Sequence, residues 1–327
     1  MILDINMTLS DWLEYWFENY ARRTVKRSTA ISYRGYINNH ISPKVGSCKL
    51  SELNTDILQT FFNSEYDSGN KKGGGLSAKT LHNMKLMLHK ALSKAVDLEL
   101  LRRNFTESVE LPQMVSPEMR VLTLREQTQL MEEIRRSDDC YASGVWISLA
   151  TGLRIGEVVG LQWGDIDFDE KRIYIRRTVS RLQKLEDSDK KTEIVIGTPK
   201  SRKSIRYIPF NSAVEARLLD YREKYSNTFS ADVNSADFFI SVRRGKPVET
   251  KSLQKYFGKL TDRAGISGAT FHTLRHTFAT RGIEKGIDPK TLSVLLGHAD
   301  VATTLSRYAH VLDEQKRKAM NILLDDM

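Results

Sequence analysis

The residues best equipped for chemistry lie in one stretch, Phe271 to His310, which reads FHTLRHTFATRGIEKGIDPKTLSVLLGHADVATTLSRYAH. It carries His272, Arg275 and His276, then Leu296-Gly297-His298, then Tyr308. Imidazole moves protons near neutral pH, and guanidinium holds anionic oxygens in a planar fork. A phenol titrates near ~10 and attacks only with a base or electrostatic help. A further arginine stands upstream in Ala150-Thr-Gly-Leu-Arg154-Ile-Gly-Glu157. Taken singly, these could be a surface arginine, a capping histidine and a half-buried tyrosine. A zinc site on His272 and His276 has the i, i+4 spacing. It lacks the rest: residue 273 is Thr where a zinc-protease helix needs Glu, and no third ligand follows at a suitable distance.

These groups need elements to hold them. Phe271, Leu274, Phe278 and Ala279 recur at helical spacing, which predicts a helix on which His272 and Arg275 share a face. Gly282 and Gly286 bracket its end, Pro289 suits the first turn of the next helix, and Gly297 stops that one. His298 then projects from a helix C-terminus, and Asp300 is placed to cap a short helix bearing Tyr308.

The chain of 327 residues is too long for one small core and predicts two domains: residues 1–110, a linker at 111–120 with two prolines, and residues 121–327. A net charge of +9 favours an anionic partner, nucleic acid or membrane surface. Cys48 and Cys140 are the only cysteines, which excludes a disulfide framework. The acidic start MILDINMTLSDWLEYW is no signal peptide, and no apolar run approaches the ~20 residues a bilayer needs. The expectation is a soluble, cytoplasmic protein with no membrane partner.

The first domain reads as an all-α bundle. Ser10 caps a helix with Leu13, Trp16, Phe17 and Tyr20 on one stripe, and Ser28-Thr29 caps the next. A short helix spans Asp56 to Phe62, GNKKGGG forms a solvent loop, and Leu81, Met84, Leu88, Leu92 and Ala95 mark a long helix after Ser77. The basic residues Arg22, Arg23, Lys26, Arg27, Lys79, Lys85 and Lys90 suit either phosphate contact or a solvated face. In the second domain Thr123-Leu-Arg-Glu126 is a capping box. A buried helix runs from Tyr141 through Arg154 and Glu157 to Gly164-Asp165. Strands follow at Arg172–Arg176, Thr192–Ile196 and Ser204–Pro209, with a short one at Phe238–Ile240. The basic turn Thr198-Pro-Lys200-Ser-Arg202-Lys203-Ser204 joins the second and third of these strands as a hairpin tip. Helices are expected at 211–225, 250–264 and in the tail after Tyr308.

The order Arg154, His-x-x-Arg, Leu-Gly-His and then a tyrosine ten residues after that histidine resembles the tyrosine recombinase, or phage integrase, family. Residues 24–63 and LSAKTLHNMKLMLHKALSKAVDLELLRRNF resemble the core-binding domain of conjugative-transposon and phage integrases. One departure is visible: that domain commonly ends Asn-Pro, and here Asn104 precedes Phe105.

The resemblance implies an all-α core-binding bundle and a mixed α+β, mainly helical, catalytic domain with a small antiparallel sheet. It implies a site-specific recombinase acting on double-stranded DNA, with no metal or other cofactor. Arg154 and Arg275 then stabilise the charge of a pentacoordinate phosphate, Tyr308 is the nucleophile, and His272 accepts a proton. His298 bonds a non-bridging oxygen. Lys200 on the β-hairpin turn protonates the leaving 5′-oxygen, with Lys203 as the alternative, and Glu157 supports Arg154 or the lysine turn. Arg202 and the basic residues of the bundle become DNA contacts. The implied assembly is a homotetramer on DNA that exchanges C-terminal tails and passes through a Holliday junction. A directionality factor or DNA-bending protein is a possible further partner. Relatives often carry an arm-binding domain ahead of the bundle; with a helix starting near Thr8, the expectation is a simple recombinase or a shortened chain. The rival classes are a type IB topoisomerase and a catalytically idle DNA-binding regulator.

Overall fold

The computed structural model of the chain describes residues 4–114, 119–184, 191–198, 204–297, 300–302 and 305. They form two compact units, 4–114 and 119 onward, each built on its own apolar core. The described residues are mainly helical, with two small antiparallel sheets confined to the second unit, as the sequence predicts.

In the first unit, α1 (Leu9–Trp16) is capped by Thr8, whose hydroxyl accepts the Asp11 amide. Ser10, the expected cap, instead lies inside the helix and bonds Ser42 (2.9 Å). α2 (Arg27–Tyr36) follows Lys26 without a side-chain cap, so Ser28 and Thr29 also fall within a helix. Both helices run into π-helical turns, Phe17–Ala21 and Ile37–Ile41, the second leading to α3 (Ser42–Val45). α4 (Thr55–Ser68), capped by Asn54, is about two turns longer than the sequence pattern indicates. After the exposed glycine loop, α5 (Ala78–Asp97) starts at its Ser77 cap and buries Leu81, Met84, Leu88, Leu92 and Ala95 completely. The Trp12 indole donates to the Ala91 carbonyl (3.1 Å) and joins α1 to α5. Buried Asn104 closes the unit: its amide donates to the His89 carbonyl (2.9 Å) and Ser93 (2.8 Å), and its carbonyl takes the Thr106 amide (3.1 Å). The asparagine therefore makes the closure here with Phe105, rather than proline, after it.

The second unit opens with α6 (Leu124–Ser137), whose capping box between Thr123 and Glu126 is present. α7 (Cys140–Thr151) lies at its centre, with Val145 and Ile147 fully buried. The expected continuous helix through Glu157 does not form. Gly152 (φ 68°) ends α7, Leu153 and Arg154 intervene, and α8 (Ile155–Gly160) begins afresh. Three strands make one sheet: β1 (Ile166–Asp167) pairs β2 (Arg172–Ile175), which pairs β5 (Arg206–Pro209). β3 (Thr178–Gln183) pairs only β4 (Thr192–Gly197). The expected hairpin between the strands at 192–196 and 204–209 is thus corrected. These strands belong to different sheets, because β2 and β5 set Ile173 against Ile208 over the core. Phe238 makes an isolated bridge to Gln162 rather than a strand. Helices α9 (Ser212–Phe229), α10 (Thr250–Arg263), α11 (Phe271–Glu284) and α12 (Pro289–Leu296) complete the unit.

α11 packs on α7, and Ala279 and Ile283 form a satellite core with Leu292 and Leu296 of α12. Gly282 and Gly286 bracket the end of α11 at Glu284, and a Cβ on Gly282 would meet Ile287 and Leu292 at 3.4 Å. The chain entering this unit is tied to the same helix. The Leu122 amide donates to Thr277 (3.0 Å), and Arg281 donates to the Leu122 carbonyl (2.7 Å).

Candidate active site

Three arginines converge on the C-terminal end of α12. Asp288 caps the start of this helix and Gly297 (φ 65°) ends it in the left-handed conformation. The last carbonyls of any helix lack intrahelical partners and carry the negative end of its dipole. Here guanidiniums from three different elements take three successive carbonyls. Arg206 Nε donates to Leu295 O (2.6 Å). Arg275 Nη2 donates to Leu296 O (2.7 Å), and Arg154 Nη2 to Gly297 O (3.2 Å). Arg154 Nη1 also reaches Leu296 O at 3.4 Å, so Arg154 and Arg275 share one acceptor.

Each arginine has a local reason for its place. Arg154 sits at the N-cap of α8, where Gly152 has turned the chain. A Cβ on Gly152 would lie 2.6 Å from Phe278 and 2.9 Å from Leu296, so the glycine permits both the backbone conformation and the close packing. Arg275 is only 2% exposed and gives its other fork to Gly152 O (2.9 Å), binding α11 to the turn that carries Arg154. His272, one turn earlier on α11, is exposed instead; its ring meets His276 edge-on at 4.5 Å. Arg275 and His272 therefore share a helix but differ sharply in burial.

One carboxylate organises the cluster. Buried Glu157 accepts from the Arg154 amide (3.0 Å) and Arg154 Nη1 (2.9 Å). From the other side Arg206 forks onto both its oxygens, Nη1 to Oε1 at 3.2 Å and Nη2 to Oε2 at 3.0 Å. Burial alone would raise the Glu157 carboxyl. Arg206, and after it Arg154, outweigh that and hold it below the usual carboxylate range.

Arg206 was not singled out by sequence reasoning, though a signal existed. Along β5 burial alternates strictly, Arg206 and Ile208 inward, Tyr207 and Pro209 outward. An arginine on the inward side of a strand calls for a buried anion.

The remaining expected residues divide in two. Lys200, Arg202, Lys203, His298, Tyr308 and the tail lie outside the described residues; between His298 and Tyr308, Asp300 accepts the Ala302 amide (3.0 Å). Of the basic residues in the first unit, Arg23, Lys26, Lys79 and Lys90 are exposed, and Arg27 is half-buried. Arg22 pairs with Glu18 (2.9 Å), and Lys85 donates to Val109 O (2.6 Å), bracing the end of that unit. Other candidate nucleophiles are poorly placed: burial pushes the Cys140 thiol up to about 11, and Tyr225 and Tyr256 up to about 12. Among the described residues no three His, Cys, Asp or Glu side chains form a group able to hold a metal ion, and no helix is long and apolar enough to cross a membrane.

The sequence profile of the phage integrase family matches residues 120–315, and that of the phage integrase N-terminal SAM-like domain matches residues 8–66. A tyrosine recombinase XerC-like protein of Caldanaerobacter subterraneus subsp. tengcongensis is 28% identical over 98% of this chain and 83% of its own. The ICEBs1 integrase of Bacillus subtilis is 29% identical over 77% of this chain and 67% of its own. The transposase from transposon Tn916 of Enterococcus faecalis is 30% identical over 72% of this chain and 59% of its own. Among solved structures, the Tn1549 transposon integrase in complex with a circular intermediate DNA superposes with a TM-score of 0.78 at 23% identity, over 97% of this chain and 99% of that one. A lambda integrase tetramer bound to a Holliday junction gives 0.63 at 20% identity, over 90% and 78%. At these identities the two structures speak for the fold alone.

Proposed function

Because the chain belongs to the phage integrase family of site-specific tyrosine recombinases, we propose that it cleaves and rejoins DNA through a 3′-phosphotyrosyl intermediate on Tyr308. The supporting observation is the convergence of Arg154 and Arg275 on the Leu296 carbonyl, next to the chain that leads into His298. Two guanidiniums within reach of one oxygen atom suit a phosphodiester, whose anionic oxygens gain charge in the pentacoordinate transition state. They supply the electrostatic help that a divalent ion supplies in many nucleases.

In this reading Tyr308 attacks the phosphorus, the bond to the 5′-oxygen breaks, and His272 takes the phenolic proton. Lys200 protonates the departing 5′-oxygen and His298 bonds a non-bridging oxygen. Because the ester energy is retained, a 5′-hydroxyl from another strand can attack the phosphotyrosine and reseal the backbone without ATP. Two rounds among four protomers that exchange tails pass through a Holliday junction, which integrates or excises a mobile element. The first unit grips the duplex through Arg22, Arg23, Lys26, Arg27, Lys79, Lys85 and Lys90, with Arg202 adding a contact from the second. Lys85 needs a rearrangement for this, since its ammonium is engaged with Val109. A DNA-bending protein or directionality factor is a further partner, and the setting is cytoplasmic DNA.

The test is covalent trapping on a nicked suicide duplex carrying the ends of the protein's own element. The expected result is a protein–DNA band on a denaturing gel that Tyr308→Phe abolishes while DNA binding persists. Tight, salt-sensitive binding without any such band would leave a DNA-binding regulator as the reading.

A further inference from the structure

We propose that Arg206 is a positioning residue for strand cleavage, fixing Arg154 and the chain entering His298 in the geometry that receives the phosphate. The inference rests on the recombinase reading and concerns the same site.

Arg206 links Glu157 to the end of α12. From β5 it forks onto both oxygens of Glu157, the carboxylate that also holds the Arg154 backbone and side chain. Its Nε takes the Leu295 carbonyl, the first of the three successive carbonyls that end α12. Its Nη1 also donates to Ser204 O (3.1 Å), two residues earlier in the chain. Its guanidinium nitrogens are committed to both Glu157 oxygens, to Leu295 O and to Ser204 O. Its influence on chemistry therefore runs through Glu157 and the α12 end.

The glycine of the Leu-Gly-His motif reports the same constraint. A Cβ on Gly297 would lie 3.0 Å from an Arg206 guanidinium nitrogen and 3.2 Å from its Cζ and Cδ. The turn into His298 is thus packed flat against the Arg206 side chain. A lysine could keep the charge near Glu157. It could not satisfy a bidentate carboxylate and two carbonyls in fixed directions, which takes four of the five donors of a planar guanidinium.

The experiment compares wild type, Arg206→Met and Arg206→Lys in single-turnover covalent-complex formation on the suicide duplex, over a range of DNA concentrations and of pH. At saturating DNA the expected rate of Arg206→Met is ~10- to ~100-fold below wild type, with the DNA concentration for half-maximal rate unchanged. Arg206→Lys recovers part of that loss. The charged groups facing Glu157 are Arg206 from β5 and Arg154 from its own turn. Without Arg206, the acid-side fall of the rate therefore moves to higher pH. Should the methionine variant fail to fold, Arg206→Lys carries the test, and a wild-type rate in it overturns the proposal. So does a folded Arg206→Met whose only defect is weaker DNA binding. A wild-type protein that forms no covalent complex overturns both readings, whereas an active wild type with an equally active Arg206→Met overturns this one alone.

Discussion

Glu157 shows how much one side chain can decide. It is buried with arginines on both sides, and removing its charge leaves Arg206 enclosed without an anion. Breaking a buried pair by deleting one partner costs ~3–5 kcal/mol. Glu157→Gln should lose about that much stability at neutral pH. The loss has a defined pH dependence. Since the folded carboxyl lies below its ordinary value of ~4.3, its contribution is complete above that value and disappears as pH falls through the lower folded one. Denaturation of wild type and Glu157→Gln at several pH values should therefore show a gap at pH 7 that closes in acid. A gap that stays constant into strong acid would contradict the assignment.

Among elements, the turn between α7 and α8 does most to place the site, and a pair of glycines measures it. Gly152 has φ 68° and close neighbours in Phe278 and Leu296; Gly286 has φ 89° and open space where a Cβ would sit. Alanine at either position is strained, at ~1–3 kcal/mol. Only at Gly152 must the packing also give way, by a similar further amount. Urea denaturation should find Gly152→Ala clearly the worse of the two, and equal losses would show that packing adds nothing. This turn also marks where sequence reading stopped. α11 and α12 were legible because helical spacing, Pro289 and Gly297 all agreed. The break at Gly152 was not, since apolar residues continue on both sides of it and a glycine within such a run looks tolerable. The strand partners were hidden for another reason: pairing is a long-range choice, and β4 alternates as well for β5 as for β3. Arg206 was half legible: the alternation of β5 turns it inward, but its anion, Glu157, lies 49 residues away in the chain.

For the whole molecule, the two-unit division leaves the second unit with its own electrostatic problem. The three guanidiniums around α12 face one carboxylate, which leaves two positive charges among those four side chains. Carbonyl dipoles soften that crowding without neutralising it. Among the described residues the cluster carries that surplus, and a small anion that fits should stabilise the fold by binding the folded state alone. Arg154, the most exposed of the three, is the point of entry. Millimolar inorganic phosphate, compared with chloride at equal ionic strength, should raise the calorimetric melting of the second unit by roughly 2–4 °C per ~1 kcal/mol of binding. Arg154→Met should abolish the rise, and a rise that survives it would place the anion elsewhere. Purified without DNA, this protein should be a thermometer of its buffer.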